Sequence, residues 1–381
     1  GNGNVYHVLV FNGGNTVGTN VSADITGDTV LDGVTVSGGN ANGRSPDSNG
    51  EGGGLYCDGS GSRDACSPQI TNVIFSGNRA LFGGGAIYNN GDNAEASPQI
   101  TNVVFIDNSA VFFGGAVYNL GGFGGESSPQ ITNATFTGNS AGKGGAIYNF
   151  GSGGESSSQI TNTILSGNSA GTDGNEIYNL ASTPTLSYTL IEGGRAGISD
   201  NSGSSTTYDA STNLEVAPDF VNANDPAGNG LLLMASSPAL DVGDNTAVPS
   251  GIDTDLLGEA RIQDGDGDGT ATVSLGAYER GIDNEARLRL VARPGAETGT
   301  FELSNTGVGV SGAEVDLGNL PAGVSATNVS GDGNVTGNGD TWTVDVPAVS
   351  TATVRIDYER GASSDAGVLD LTAELNMNSY V

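Results

Sequence analysis

The chain has 381 residues, enough for two or three domains, and sets 43 Asp and Glu against 12 Lys and Arg, a formal charge of −31. That balance repels nucleic acids and anionic membranes, and it suits cation binding and solubility in salt. With 64 glycines, 14% charged residues and no apolar run of about 18 residues, the composition excludes a coiled coil, a disordered acidic tail and a membrane-spanning helix.

The chain opens at Gly1 without Met, which reads as a signal peptide removed or as a fragment. Val5–Val10, Val21–Ile25 and Thr29–Gly38 are predicted strands that lead into a repeat. Cys57 and Cys66, the only cysteines, flank a Gly/Ser loop. A bridge between them would close a loop of ten residues and stabilise by roughly 2.7 kcal/mol in the chain-entropy view. Two free thiols are the alternative. The loop position and the lack of any other cysteine favour a disulfide, and with it an oxidising compartment.

The repeat then dominates. Ser67-Pro-Gln-Ile-Thr-Asn72 returns at 97–102, at 128–133 and, with Ser for Pro, at 157–162. Its isoleucines stand at 70, 100, 131 and 160, a period near 30 that marks stacked repeats. Each copy carries two further phrases. One is Phe75-Ser-Gly-Asn78, matched by Phe105–Asn108, Phe136–Asn139 and Leu165–Asn168. The other is Gly84-Gly-Ala-Ile-Tyr-Asn89, matched at 114–119, at 144–149 and in degraded form at 174–179, with a degraded leader at Gly53–Tyr56.

Within the phrases small polar and apolar residues alternate, which separates Ile70, Asn72 and Ile74 from Thr71, Val73 and Phe75. Three short strands per period describe one coil of a parallel β-helix, with coils pairing at about 4.8 Å. Stacking predicts three inward columns: Ile70/Ile100/Ile131/Ile160, Phe75/Phe105/Phe136/Leu165 and Ile87/Val117/Ile147/Ile177. It also places Asn78, Asn108, Asn139 and Asn168 at turns, where stacked amides bond along the axis. Tyr88, Tyr118, Tyr148 and Tyr178 form a further column, expected to point outward if Ile87 points in. It reads either as a glycan-contact face or, more simply, as cross-strand packing.

The array degrades between 177 and 210. Residues 211–283 lack the phrases and are expected to cap the β-helix, because an open coil end leaves strand edges unpaired. From 284 to 381 the pattern changes again. Predicted strands at Arg287–Ala292, Gly299–Ser304, Ala313–Leu317, Thr341–Val346, Thr351–Tyr358 and Gly367–Leu375 suggest an immunoglobulin-like β-sandwich with Trp342 as its core candidate.

The Gly-Gly-Ala-Ile and Phe-x-x-Asn phrases resemble the repeats of chlamydial polymorphic outer-membrane proteins. They also resemble the right-handed β-helix repeats of many secreted bacterial proteins. Ser237-Pro-Ala-Leu-Asp-Val-Gly243 and Leu275-Gly-Ala-Tyr-Glu279 are similar to the tail of β-helix proteins of the choice-of-anchor Q type. Leu320-Pro-Ala-Gly323 and Thr341-Trp-Thr343 resemble the DUF11-type surface domain. Together these likenesses imply an all-β chain, a right-handed parallel β-helix followed by an Ig-like β-sandwich, exported to the cell surface. They imply little about activity.

Asp264-Gly-Asp-Gly-Asp-Gly269 is the strongest ligand motif. Asp264, Asp266 and Asp268 match the first half of an EF-type calcium loop. The closing glutamate is replaced by Leu275, so Glu279, Asp253 or Asp255 would have to supply it, and an acidic solvated turn is the alternative. For catalysis the repeats offer Arg63, Arg79, Lys143 and Arg195 as cations, Asp107 and Asp173 as scattered carboxylates and His7 as the lone histidine. A lyase needs a base and a charge-neutralising group, and a glycosidase needs two paired carboxylates. Neither set is gathered by the spacing. The reading is therefore a secreted, non-enzymatic structural or adhesive protein of the bacterial surface. Its partners would be other copies of itself, added head to tail into a fibre, or surface glycans. Nucleic acid and membrane insertion are not expected. A β-helix polysaccharide lyase, a glycoside hydrolase and a carbohydrate-binding adhesin are the alternatives.

Overall fold

Each phrase of the repeat becomes one face of a coil. The computed structural model describes residues 6–13, 24–44, 50–60, 65–222 and 230–280, apart from 235 and 267, and the backbone of seven strands between 299 and 376. The predicted strand Arg287–Ala292, the side chain of Trp342, Arg63 and parts of Val5–Val10 and Val21–Ile25 lie outside the described residues. The architecture is an all-β parallel solenoid. Among the described residues the only helical turns are two 3-10 segments, Gly194–Gly197 and Asn245–Ala247.

Gln69–Thr71 lies on Gln99–Thr101, which lies on Gln130–Thr132, which lies on the start of Gln159–Ser166. All pair in parallel, so Ile70, Ile100, Ile131 and Ile160 are direct partners. A second strip stacks Phe75, Phe105, Phe136 and Leu165 in the same way. The strand Gln159–Ser166 runs through both strips and joins them into an 11-stranded sheet. The Ile-Tyr-Asn segments build a 7-stranded sheet from Leu9–Asn12 to Ile198–Asn201. A narrower 5-stranded sheet carries the alanines 41, 80, 110 and 141 inward.

The three predicted columns are all inside, with no exposed surface on any member from Ile70 to Ile177. The rings of Phe75, Phe105 and Phe136 stack with centroids 5.3 and 4.4 Å apart. One coil could not bury these side chains alone; its neighbours above and below supply the other walls.

Simple alternation does not produce this arrangement. Ile70 and Phe75 are five residues apart, so an unbroken strand would put them on opposite faces. Asn72 resolves the conflict by adopting a left-handed conformation, φ 55°, and so do Asn102, Asn133 and Asn162. The kink resets the phase. Ile70, Val73 and Phe75 then point inward, and Ile74 turns outward. Asparagine tolerates this region better than other side-chain-bearing residues.

Beyond Ile198–Asn201 the stack continues only as Thr207–Tyr208, paired with Thr185–Leu186, and a bridge from Leu190 to Leu214. The described residues between 214 and 278 then lie over the outer face of the 11-stranded sheet. Val104, Ile106, Ile164 and Leu190 on that face pack against Phe220, Leu233, Leu240, Leu275 and Tyr278. Hydrogen bonds follow the same path: Asn102 Nδ2 donates to Thr254 O, Ala277 N to Thr135 Oγ1 and Gly276 N to Asn162 O. The segment expected to close the coil end thus lies along this side of the coils.

A second unit spans Gly281–Val381. Its described strands form two antiparallel sheets. One orders Gly299–Asn305, Ser350–Arg360 and Val324–Gly331; the other orders Val335–Asn338, Thr341–Val346, Val310–Asp316 and Leu375–Asn376.

Candidate functional site

The coils are tied together by side-chain ladders that run through the solenoid. Asn78 Nδ2 donates to Asn108 Oδ1, Asn108 Nδ2 to Asn139 Oδ1 and Asn139 Nδ2 to Asn168 Oδ1, at 2.8–3.0 Å. A parallel ladder links Asn89, Asn119, Asn149 and Asn179 at 2.8 Å per step. All eight are buried. Each amide oxygen from Asn108 to Asn168 and from Asn119 to Asn179 accepts from the amide one coil before, so these buried polar side chains are paired inside the solenoid. A third ladder uses serine: Ser97 N donates to Ser67 Oγ, Ser128 N to Ser97 Oγ and Ser157 N to Ser128 Oγ.

Both asparagine ladders end on a carboxylate at the C-terminal side. Asn168 Nδ2 donates to Glu176 Oε2 at 2.6 Å, and Asn179 Nδ2 to Asp200 Oδ1 at 2.8 Å. Glu176 stands where the intact repeats carry Ala86, Ala116 and Ala146. Burial pushes its carboxyl up to about 7. Asp200 is different. Burial opposes its charge, but hydrogen bonds from Thr206 and Asn179 and the nearby Arg195 outweigh it and hold the carboxyl below the ordinary range.

The tyrosine column is present but mostly covered. Tyr88, Tyr148 and Tyr178 are only 7%, 3% and 4% exposed, and Tyr118 is half-buried. Neighbouring centroids are 5.0–5.1 Å apart from Tyr88 to Tyr178. The corner that follows each short alanine strand folds over them. Phe113 packs on Tyr148 at 4.7 Å, and Lys143 Nζ donates to Tyr178 Oη at 3.1 Å while lying over its ring. Burial raises the Tyr88, Tyr118 and Tyr148 phenols, so they stay neutral. These rings do point away from Ile87, yet they are a packed layer rather than an open strip for sugars.

Cys57 and Cys66 are bonded to one another and fully buried with Ala96. Cys57 is the register partner of Asn89 and so takes the place of one more ladder asparagine. With no amide donor there, Asn89 Oδ1 is left without a partner.

The six residues proposed as metal ligands are divided by the structure. Asp264 and Asp266 come together with Asp241, with carboxylate oxygens within 4.8 Å of one another. Asp241 was not legible as a member of this loop. Its Oδ2 already accepts Gly265 N at 2.6 Å and Asp266 N at 2.9 Å. Asp268 accepts Thr270 N, and Asp266 accepts Asp268 N, as in ordinary Asx turns. Three carboxylates at this separation can share a hard cation through oxygen, but here backbone amides claim several of the same oxygens. Asp255 is buried and accepts Leu257 N, Glu259 N and Glu279 N. Glu279 is paired with Arg261 at 2.6 Å. Asp253 is exposed and contributes its backbone carbonyl to Arg261 N.

Arg261 itself was missed by sequence reasoning. Its guanidinium reaches Ser274 O, Gly276 O and Asn102 Oδ1 under the returning segment. Nothing in its neighbours, Ala260 and Ile262, marks it as an interior charge. Of the catalytic candidates only Lys143 and Asp173 are brought side by side, as register partners on adjacent coils. Lys143 is committed to Tyr178, Asp107 occupies a left-handed turn at φ 53°, and His7 Nδ1 contacts Gly52 O at 2.9 Å. An exposed acidic column, Glu95, Glu126 and Glu155, stacks coil on coil beside a shallow hollow of about 420 Å³.

The repeat model of the Chlamydia polymorphic membrane protein family matches residues 72–90 and 133–149. Each match runs from a left-handed asparagine through the Phe-x-x-Asn and Gly-Gly-Ala phrases. No curated protein and no solved structure matches the chain.

Proposed function

We propose that this chain is the solenoid body of a bacterial surface protein, structural or adhesive rather than catalytic. The single observation that carries this reading is the continuity of the ladders. An active site breaks a repeat locally, whereas the amide ladders run from Asn78 to Glu176 and from Asn89 to Asp200 without a gap. The matched repeat phrases support surface display by resemblance. A right-handed winding agrees with the handedness of parallel crossovers. Seven strands in two antiparallel sheets support an Ig-like, DUF11-type module at 284–381, serving as a spacer.

The test is binding of the purified chain, coated on beads, to host cells and to an array of surface glycans. Binding that uncoated beads lack supports the adhesive form. Release of unsaturated products from acidic glycans, followed by ultraviolet absorbance, would replace it with the lyase reading. The self-associating form rests on the strand edges that a parallel stack presents to a matching strand. It predicts fibres in negative-stain images, and a monodisperse monomer in light scattering at high concentration counts against it.

A further inference from the structure

Glu176 is a buried carboxylate with no cationic partner: the ion pairs among the described residues are Arg195–Asp200 and Arg261–Glu279. It is 2% exposed. It interrupts an alanine column, ends the amide ladder of Asn168 and lies beneath the 3-10 turn Gly194–Gly197. Its own N–H donates to Gly197 O at 3.0 Å. A Cβ on Gly197 would sit 3.1 Å from Glu176 Cγ, so the turn closes directly onto this side chain. Isolated buried charge is costly, and the usual outcome is that the group takes up a proton.

We propose that Glu176 is a proton-operated latch for residues 192–201, the covering turn and the last strand of the 7-stranded sheet. In its neutral form it accepts the final amide of the ladder and lets the turn close over it. In its ionised form it loosens that turn and frees the edge of Ile177–Leu180, which is otherwise paired with Ile198–Asn201.

The surrounding charges favour this behaviour. Glu192, at the end of the neighbouring strand, accepts Ser166 Oγ at 2.8 Å and Gly167 N at 2.7 Å, and its charge pushes Glu176 toward the neutral form. Arg195 on the covering turn is committed to Asp200, and its N–H to Glu215. Lys143 in the coil before is committed to Tyr178 and faces Asp173 in register. Among the described residues no cation is paired with Glu176.

The sign follows from linkage. Once the coil opens, the carboxyl regains its ordinary value of 4.5; closed, it holds its proton to about 7. Raising the pH between those values favours opening, by up to about tenfold per pH unit and roughly 300-fold in all.

Hydrogen exchange of the intact chain from pH 5 to pH 8.5, corrected for intrinsic rates, tests the latch. Protection of residues 192–201 and 177–180 is expected to fall by between tenfold and roughly 75-fold across this window as pH rises, while protection of 99–106 stays level. Glu176→Gln removes the fall and keeps the turn closed at pH 8.5. Glu192→Gln, far more exposed than Glu176, makes the fall smaller and keeps the test open should Glu176→Gln fail to fold. A wild-type profile that is flat with pH overturns the proposal, and so does a fall that persists unchanged in both variants.

Discussion

Arg261 and Glu279 meet at 2.6 Å with side chains 1% and 0% exposed, and this ion pair fastens the returning segment to the solenoid through Asn102. Burial raises the Glu279 carboxyl above its ordinary range and lowers the Arg261 guanidinium, so each charge depends on the other. Removing one partner strands the other. Arg261→Met is expected to destabilise by about 3–5 kcal/mol, whereas Arg261→Met with Glu279→Leu recovers most of the loss. Denaturant midpoints of the three proteins check this; equal losses in the single and double variants would show that the pair itself contributes nothing.

Asn108 sits in the middle of a ladder. Asn108→Ala leaves Asn78 N–H and Phe75 O without their partners in a buried turn. Each such group costs about 1–3 kcal/mol, so a loss of roughly 2–4 kcal/mol is expected in thermal or urea unfolding. Ser109→Ala, on the half-buried outer side of the same coil, serves as the control and should change little.

Asp200 should behave opposite to Glu176 with pH. Its folded carboxyl lies below the ordinary value of 3.8, so it contributes stability above that value and loses the contribution as pH falls through the folded one. Asp200→Asn is therefore expected to lower the melting temperature at neutral pH, with the gap from wild type closing in acid. A gap that stays constant to the lowest accessible pH would contradict this.

Reduction of Cys57–Cys66 opens the loop at the start of the repeat. The chain-entropy view gives a loss of roughly 2–3 kcal/mol. Thermal unfolding with and without a phosphine reductant measures it. The protection of residues 55–58 in hydrogen exchange should drop first.

Gly115 and Gly77 differ in a way that two substitutions reveal. A Cβ on Gly115 would stand 2.2 Å from Gly145 O in the next coil, while one on Gly77 meets nothing within 4 Å. Gly77→Ala carries only the cost of its positive φ, about 1 kcal/mol. Gly115→Ala must push two coils apart and is expected to cost more than twice as much, as read from denaturant midpoints.

Much of this was legible in the sequence because stacking converts a period into columns. The isoleucine, phenylalanine and asparagine columns needed only the spacing of their phrases. The left-handed Asn72 was encoded more quietly, in the odd separation of Ile70 and Phe75, which one face of a regular strand cannot hold. The burial of the tyrosines was not legible, because Phe113 and Lys143 each cover the tyrosine of the next coil, some 35 residues further on. Arg261 and Asp241 were hidden for a related reason. Their partners, Asn102 and the Asp264–Asp266 loop, lie far along the chain and follow no period. The degraded phrase at 174–179 did carry a signal, since Glu176 replaces an alanine in an otherwise constant column.

The returning segment changes how the rod would bear tension. Among the described residues, coils at the beginning of the stack hold only to those directly above and below. Those containing Asn102, Thr135 and Asn162 are also bound side-on by one continuous strip of chain. Stretched between two anchors, the molecule would shed its early coils one at a time, like pages peeled from a pad, and then resist as a single splinted block.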